Sequence, residues 1–510
     1  MSDLKTPGVY IVEKNAFPNS VVEVATAVPA FVGYTEKAAS KGASLLGRPF
    51  RIDLLAEFEL YFGLGPPAAF DIRAPRDGEA ADVQAPDGAA YVIDLTCERF
   101  RLYDAMRHFF QNGGGPCWIV SVGDYRGAVE LGPLQSGLTA LEREQEPTLV
   151  VIPDAVELAA GDCIALQQQM LRHCAVDMRN RFAILDVHGA TGGPVQGDPA
   201  VEAFRATMGA DNLAYGAAYY PFVHTRLRTE ADLSYLDFPG VRFSQLLTDL
   251  PPRFAEVAKQ ADRTDADWRA AFEKAKAAHP ALKDEAAWIA AAQAQTHQAL
   301  VQGSAVFQAI LKAATRKLNL MPPSAALAGL YTLVDNTRGV WKAPANVSIA
   351  NVVEPAVAIS HADQESLNVD AQGKSINAIR AFVGEGVLVW GARTLDGNSL
   401  DWRYINVRRT MIMLEESCRL AVKALVFEPN AAATWITVKS MLQNFLTGIW
   451  RRGGLAGQTP DDAFSVHCGL GETMTHADIA DGVLRVTVLV ALSRPAEFIE
   501  ITFQQAMAKP

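Results

Sequence analysis

Two glycine-rich segments of this 510-residue chain have the composition of loops that bind phosphate groups. Gly113 to Gly115 resembles a phosphate-binding loop, whose backbone N–H groups would cradle a nucleotide. No Lys followed by Ser or Thr comes after this run, and the run precedes a strand pattern rather than a helix pattern. Gly384 and Gly386 lie in FVGEGVLVWG, which lacks the context of a dinucleotide-binding fingerprint. We therefore predict no nucleotide cofactor.

Three groups contain the residue types that bind metal ions: His173 with Cys174, His467 with Cys468 and His476, and the aspartates Asp262, Asp265 and Asp267. The His and Cys residues are not paired at the spacing of a zinc site. The aspartates lack the glycine and the closing glutamate of a calcium loop, and they are typical of a helix start. We predict no metal site, no catalytic residues and a protein that is not an enzyme.

Charge and hydrophobicity narrow the class of protein. The net charge of -11 offers no basic face to a nucleic acid. The best candidate for a membrane span, Leu484 to Leu492, is shorter than the roughly 18 apolar residues required and contains Arg485. The N-terminal MSDLKTPG has no apolar signal region. We predict no nucleic-acid partner, no membrane insertion, and synthesis and folding in the cytoplasm.

Strand and helix patterns alternate in the first part of the chain. A helix pattern at Leu102–Gln111 ends at the glycine run, and an apolar strand pattern follows at Cys117–Val122. Two further strand patterns, Thr148–Ile152 and Phe182–Val187, flank a helical segment at Ile164–Cys174. This βαβ order predicts an α/β body.

Changes of composition predict a multidomain protein of mixed α+β and α/β class. Residues 227–303 are rich in Ala, Lys, Glu and Gln, which favours exposed helices inserted on the body. Asp71–Gly88 is rich in Pro, Gly, Asp and Ala and predicts a surface loop or a small insertion. Ser304–Leu318 predicts a helix that returns to the main domain. The predicted parts are an N-terminal arm (1–25), an α/β domain (26–226), the helical insertion (227–303), the return of the α/β domain (304–356), a C-terminal domain (357–492) and a C-terminal arm (493–510).

Each end of the chain carries a strand pattern without a neighbouring partner. The N-terminal run is continuous, β-branched and aromatic: Val9, Tyr10, Ile11 and Val12. The C-terminal run alternates between two faces: Phe498 on one, and Ile499, Ile501 and Phe503 on the other. Because buried, unpaired backbone groups are costly, these strands must pair elsewhere in the chain or on another molecule. The pattern leaves both possibilities open, and strand exchange between subunits is the sharper hypothesis.

A hairpin pattern just before the C-terminal arm is a candidate acceptor for such strands. Its two segments, Phe464–Cys468 and Val483–Leu492, are joined by a connection that contains several glycines. Two strands alone form a marginal sheet, and an added arm at each edge would make four strands by β-augmentation. The predicted acceptor residues are the apolar positions of the two segments: Phe464, Val466, Val486, Val488 and Val490.

Seven motifs in order resemble the sheath proteins of contractile phage tails and phage-tail-like injection systems. They lie along most of the chain: TPGVYIVE (6–13), QNGGGPCWIVSVG (111–123), TRGVWKAPAN (337–346), WGARTL from Trp390, WRYINVRRT from Trp402, VFEPN from Val426 and PAEFIEITF (495–503). The resemblance implies that terminal arms join the sheets of neighbouring subunits, in a mesh of stacked six-fold rings around an inner tube. It also implies baseplate proteins, terminal cap proteins and sheath paralogues as further partners.

In sheath proteins a helix of the C-terminal domain contacts the tube, and the helix pattern at Thr434–Trp450 is the candidate here. Lys439, Arg451 and Arg452 would present positive charge to an acidic tube, although capping and solvation explain the same residues. The implied function is a subunit of a contractile sheath that drives the tube through an envelope, within a phage tail or a phage-tail-like particle that can be released from the cell. A phage tail sheath, an injection system and a bacteriocin-like particle remain open, with a noncontractile structural protein or an α/β enzyme as the other classes.

Overall fold

The body of the protein is built on a nine-stranded sheet, in a computed structural model that describes residues 21–192, 197–368, 371–498 and 500. Six central strands are parallel, and the strands at both edges are antiparallel. In spatial order the strands are Val347–Ser348, Gly386–Trp390, Ile376–Phe382, Gly216–Tyr220, Phe182–Asp186, Leu149–Val151, Pro29–Gly33, Cys117–Ser121 and Phe50–Ile52.

Helices cover both faces of this sheet. Alternate residues of one strand therefore enter different cores, with Ala30 and Val32 on one face and Phe31 on the other. One layer contains Leu131–Ala140, Ala160–Arg172, Pro199–Thr207 and His361–Asn368, and the other contains Leu55–Phe62, Leu102–Gln111 and Ser324–Arg338. The α/β body is confirmed, as are the predicted helix at Leu102–Gln111 and the strands that begin near residues 117, 149 and 182.

A buried aspartate joins the sheet to the helix Ser324–Arg338. Asp186 ends its strand, and its Oδ1 accepts a hydrogen bond of 2.9 Å from the backbone N–H of Ser324. The carboxyl group is almost fully shielded from water, and this burial raises its pKa to about 7. The folded protein therefore retains a proton at Asp186 at pH values where the unfolded chain has lost it.

We expect Asp186→Asn to stabilise the protein at pH 8, because Asn keeps the acceptor oxygen and removes the buried charge. In the wild type, stability contributed by a raised pKa is present below pH 4 and is lost as the pH rises toward 7. The variant should melt roughly 2–5 °C higher than the wild type at pH 8, and the difference should vanish near pH 4. Thermal unfolding between pH 4 and 8 measures this. Asp284→Asn, at an exposed helix N-terminus where Asp284 accepts from Ala287, is the control and should show no such pH dependence.

A second domain lies beside the body and has its own core. It combines a small sheet with five helices: strands Phe70–Arg73, Val83–Gln84 and Ala90–Leu95, and helices Phe243–Leu246, Ala255–Ala261, Asp265–Ala278, Glu285–Gly303 and Ala305–Leu318. Phe70 of the sheet stacks on Phe238, with ring centroids 5.4 Å apart. The predicted helix start is confirmed, since Thr264 and Asp267 form reciprocal hydrogen bonds at the N-terminus of Asp265–Ala278.

Two predictions about this region are wrong. Asp71–Gly88 is neither a surface loop nor a small insertion of its own, because it supplies strand residues whose apolar side chains, such as Val83, are buried in the core of the second domain. The helix Ala305–Leu318 does not return at once to the body, because Phe307 and Ile310 complete the core of the second domain. The helical insertion is therefore one part of a domain to which residues 70–95 also contribute.

The small C-terminal domain contains two long helices, two short helices and a hairpin. Its elements are Ile405–Lys423 (the first C-terminal helix), Ala432–Arg451 (the second C-terminal helix), Pro460–Ala463, Phe464–His467, His476–Ala480 and Thr487–Val490. The predicted boundary at residue 357 is wrong for the sheet, because Ile376–Phe382 pairs in parallel with Gly216–Tyr220 and so extends the body. This domain therefore begins near Ile405.

A third small sheet joins Val223–Thr225 to Leu320–Met321 and Val352–Pro355. All six cysteines carry free thiols, and four of them are buried. Among the described residues, no helix has both the length and the apolar character needed to cross a membrane.

Candidate subunit interface

The predicted hairpin is present and has two open edges. Phe464–His467 pairs antiparallel with Thr487–Val490, with Phe464 opposite Val490 and Val466 opposite Val488. Within the described residues this sheet has two strands, so each strand has one edge of backbone N–H and C=O groups that faces no further strand. Such an edge is a template for a strand from another chain.

The side chains predicted to accept an arm face the hairpin's own domain. Val466 is buried, and Phe464, Val486, Val488 and Val490 pack against the core formed with the two C-terminal helices. The opposite face carries Thr487 and Leu489, and the Leu489 side chain is 58% exposed. The structure therefore brings the predicted residues together on the inner face, and what remains for a neighbour is the backbone edge and the outer face.

Most of the predicted arm residues lie outside the described residues: Val9, Tyr10, Ile11, Val12, Ile499, Ile501 and Phe503. Phe498 is described, and 77% of its surface is exposed to solvent. An exposed aromatic side chain of this size is available for contact with another molecule. The arm residues remain predictions.

The N-terminal segment enters the fold at a buried ion pair that the sequence analysis missed. Arg409 of the first C-terminal helix pairs with Asp335 of Ser324–Arg338, with N–O distances of 3.0 and 2.6 Å. Their side chains are 3% and 1% exposed. Thr26 joins both, because its hydroxyl donates to Asp335 and its carbonyl accepts from Arg409 at 2.9 Å. One pair thus connects the body, the C-terminal domain and Thr26, the residue that directly follows the predicted N-terminal arm.

The sequence held one signal for this pair. Arg409 lies in WRYINVRRT, where two arginines follow an apolar stretch at the start of a helix. Charged residues are almost never fully buried unless they are paired, so a buried partner carboxylate could have been anticipated. Its identity could not, because Asp335 lies 74 residues earlier in the chain.

Two of the three predicted tube-contact residues have partners within the chain. The Lys439 Nζ lies 3.1 Å from an oxygen of Glu472, whose pKa is held below its usual range by hydrogen bonds from His467 and Lys439. Arg452 pairs with Glu23 and lies 5.0 Å above the ring of Trp341. The side chain of Arg451 is exposed and has no ion pair or hydrogen bond with any residue that the structure describes. The three cations therefore do not form one free basic patch.

A group of potential metal ligands includes His173, which the sequence analysis considered together with Cys174. Ligand atoms of Glu142, His173 and Asp177 lie within 4.8 Å of one another. The Arg181 guanidinium lies 2.8 Å from His173 Nε2, and burial together with this cation lowers the pKa of His173 to about 3. A guanidinium against the ring nitrogen opposes a second cation there, so this group gives no reason to propose a metal site.

Comparison with known proteins shows that the C-terminal part of the chain is similar to tail sheath proteins. Residues 398–506 match the model of the phage tail sheath C-terminal domain family. The tail sheath proteins of Enterobacteria phage T4 and Vibrio phage KVP40 are each 29% identical to this chain over 138 residues, which is 26% of this chain. The match covers 20% of each relative, so the chain aligns with a fifth of the length of these curated relatives.

Solved sheath structures resemble the whole chain. The helical sheath of the anti-feeding prophage in the contracted state is 27% identical, with a TM-score of 0.60, over 98% of this chain and 99% of that chain. The sheath complex of the extracellular contractile injection system PVC, also contracted, is 25% identical, with a TM-score of 0.59, over 99% of both chains. A chain in the six-fold symmetrised anti-feeding prophage baseplate is 27% identical, with a TM-score of 0.58, over 99% of both chains. These likenesses confirm the resemblance to contractile sheath proteins.

Proposed function

We propose that this chain is the structural subunit of a contractile sheath, which polymerises around an inner tube and contracts to drive the tube through a target envelope. The observation that carries the proposal is the likeness, over nearly the whole chain, to sheath proteins solved in the contracted state. Under this proposal the protein is not an enzyme, and it is made and assembled in the cytoplasm as part of a particle that can be released from the cell.

Assembly proceeds by strand exchange in this proposal. The arms 1–25 and 493–510 of one subunit add strands to the open edges of a neighbour's hairpin. An arm that makes about five hydrogen bonds contributes roughly 5 kcal/mol before the cost of ordering, because each bond contributes about 1 kcal/mol net. One such contact is weak, but many in one lattice reinforce each other through effective concentration.

Contraction needs no fuel if the extended lattice is metastable. Subunits rotate and move outward as rigid bodies while the arms keep neighbours connected, and the energy comes from the better packing of the contracted lattice. The partners are other copies in stacked six-fold rings, the inner tube, baseplate and terminal cap proteins, and possible sheath paralogues. Nucleic acid and membrane insertion have no part in this mechanism.

An extracellular injection particle is favoured over a phage tail as the setting. The structural likeness to the contracted sheaths of the anti-feeding prophage and of the extracellular contractile injection system PVC covers 98–99% of this chain. Neighbouring genes test the choice between the two. A capsid gene would indicate a phage, and an AAA-type ATPase gene beside several sheath paralogues would indicate an injection particle.

Cryo-electron microscopy of particles purified from the native host, before and after a denaturant or acid trigger, tests the function. We expect a helical cylinder of this chain that becomes shorter and wider, with the chain ends threaded into neighbours. A cylinder of one fixed pitch would instead indicate a noncontractile structural protein. A discrete soluble oligomer with closed termini would overturn the proposal.

Among the candidate tube contacts, Arg451 is the residue to test first. Its cation is not neutralised by any described residue, whereas Lys439 is paired with Glu472. We expect Arg451→Glu to reduce the fraction of sheath assembled on tube about tenfold, because a repulsive charge replaces an attractive one near an acidic partner. Lys439→Gln is the matched control and should have a smaller effect. Co-pelleting of sheath with purified tube measures the assembled fraction for both variants. If both variants pellet with the tube as much as the wild type does, this end of the helix does not contact the tube.

A further inference from the structure

An ion pair between a buried arginine and a partly buried glutamate holds the start of the C-terminal arm against the body. Arg393 follows the strand Gly386–Trp390 and donates two hydrogen bonds to Glu497, from Nε to Oε1 at 2.9 Å and from Nη2 to Oε2 at 2.7 Å. The side chains are 5% and 18% exposed, respectively. Two parallel charge-assisted bonds of this kind are strong and fix direction as well as distance.

Further hydrogen bonds fasten the same carboxylate and the segment before it. The Tyr404 hydroxyl donates to Glu497 Oε2 at 3.1 Å, and Asn368 Nδ2 donates to Oε1 at 3.0 Å. Four residues earlier, the Ser493 carbonyl accepts from Asn406 Nδ2 at 3.1 Å. Residues 493–497 are therefore attached to their own subunit at both ends. We call Arg393, Tyr404 and Asn368, together with Glu497, the arm-root clamp.

The clamp is itself rigidly mounted. The backbone N–H of Arg393 donates to Asn377 Oδ1 at 2.8 Å, and Asn377 Nδ2 donates back to the Arg393 carbonyl at 2.8 Å. Arg393 also forms an antiparallel bridge with Tyr404, which directly precedes the first C-terminal helix. Two of the clamp residues, Arg393 and Tyr404, thus lie in the short connection from the body sheet to that helix. Near the N-terminus of the same helix, Arg409 binds the carbonyl of Thr26 in the N-terminal segment.

We propose that the arm-root clamp is a positioning site for sheath assembly, which fixes where the C-terminal arm leaves its subunit. This inference rests on the proposed function. The predicted arm strand Pro495–Phe503 is divided by the clamp: residues up to Glu497 stay on their own subunit, and the exposed Phe498 begins the part offered to a neighbour. A fixed departure point raises the effective concentration of the arm at the neighbouring hairpin.

Limited proteolysis of the full-length monomer tests whether the clamp restrains the segment. Chymotrypsin cleaves after Phe498, next to the clamped Glu497, and mass spectrometry follows the loss of residues 499–510. We expect Glu497→Gln to be cleaved roughly 10- to 100-fold faster than wild type, because hydrogen bonds to a charged group are lost and the segment opens more often. Arg393→Lys keeps the charge without the two-pronged geometry and should lie in between.

Glu500→Gln is the matched control for this assay. It makes the same chemical change three residues later, at an exposed carboxylate without an ion pair or hydrogen bond to any residue the structure describes. Its cleavage rate should equal that of the wild type. Synthetic peptides spanning 490–505, with and without each substitution, correct for the preference of the protease.

The yield of sheath from the same variants tests the positioning role. Loss of a contact that only stabilises the subunit would leave this yield unchanged. We expect Glu497→Gln to stay folded, with a cooperative melting transition, while its yield of sheath falls roughly tenfold, because the arm loses its fixed departure point. Normal sheath yield from Glu497→Gln, with or without faster cleavage, would overturn the positioning role. Failure of the wild type itself to form sheath would instead overturn the proposed function, so the two failures are distinguishable.

Discussion

Sheath assembly is expected to be lost when Ile499 and Ile501 are both replaced by Asp. In the proposed strand exchange these residues share one face of the C-terminal arm, so the double variant places two charges where apolar side chains are buried against a neighbour. The cost per arm exceeds the roughly 5 kcal/mol that its hydrogen bonds contribute. Electron microscopy should show no cylinders, whereas size-exclusion chromatography and circular dichroism should show a folded monomer.

A matched control places two Asp residues on the other face of the same arm. Glu500→Asp combined with Thr502→Asp places Asp at the two neighbouring positions on that face, adding one negative charge, and leaves the apolar face intact, so it should assemble. Deletion of Met1 to Val12 tests the other arm and should also leave a folded monomer without sheath. Sheath of normal length from either disrupted arm would contradict strand exchange.

Asp335→Ala is expected to reduce the free energy of unfolding by about 3–5 kcal/mol, the largest stability effect we predict. The substitution leaves the Arg409 guanidinium buried, with its side chain only 3% exposed and its main partner gone. Arg409 also lies over the ring of Tyr331, at 4.7 Å from the guanidinium carbon, so it cannot move to water without disturbing the helix layer. Urea unfolding followed by tryptophan fluorescence measures the change.

A paired substitution separates the cost of a lone charge from the value of the ion pair. Asp335→Leu with Arg409→Met removes both charges and should recover most of the lost stability. Glu256→Ala, which breaks an exposed pair with Lys259, is the surface control and should change stability by less than about 1 kcal/mol. Equal losses from Asp335→Ala and from the paired variant would show that the lost stability does not come from an unpaired buried charge.

The strands and helices of the body could be predicted because their apolar patterns are local. Leu102–Gln111 and Phe182–Asp186 end close to where the spacing of their apolar residues predicts. The boundary at 357 could not be placed, because the strand Ile376–Phe382 pairs with Gly216–Tyr220 far away in the sequence. A strand pattern shows which faces are apolar, but it does not identify the strand beside it.

Only part of the candidate interface could be predicted, because a local pattern does not identify what each face contacts. The pattern located both strands of the hairpin, but the alternation of Val486, Val488 and Val490 does not reveal that these side chains face their own domain. The Glu497 clamp was missed because its partners, Arg393 and Asn368, come from separate parts of the chain. Motif resemblance marked the segments that contain them without indicating which charges meet.

The second domain is formed by two separate stretches of the chain, and this limits how the protein can be shortened or used as a display scaffold. Excising residues 227–303 alone would leave Phe70, Ile93 and Ile310 with their partners removed and their apolar surfaces in water. A minimal version must remove the strands within 70–95 and the helices within 227–318 together. Conversely, foreign sequence is best grafted at the turn near residues 279–284, which is mostly exposed, joins two helices of the second domain and lies outside its core.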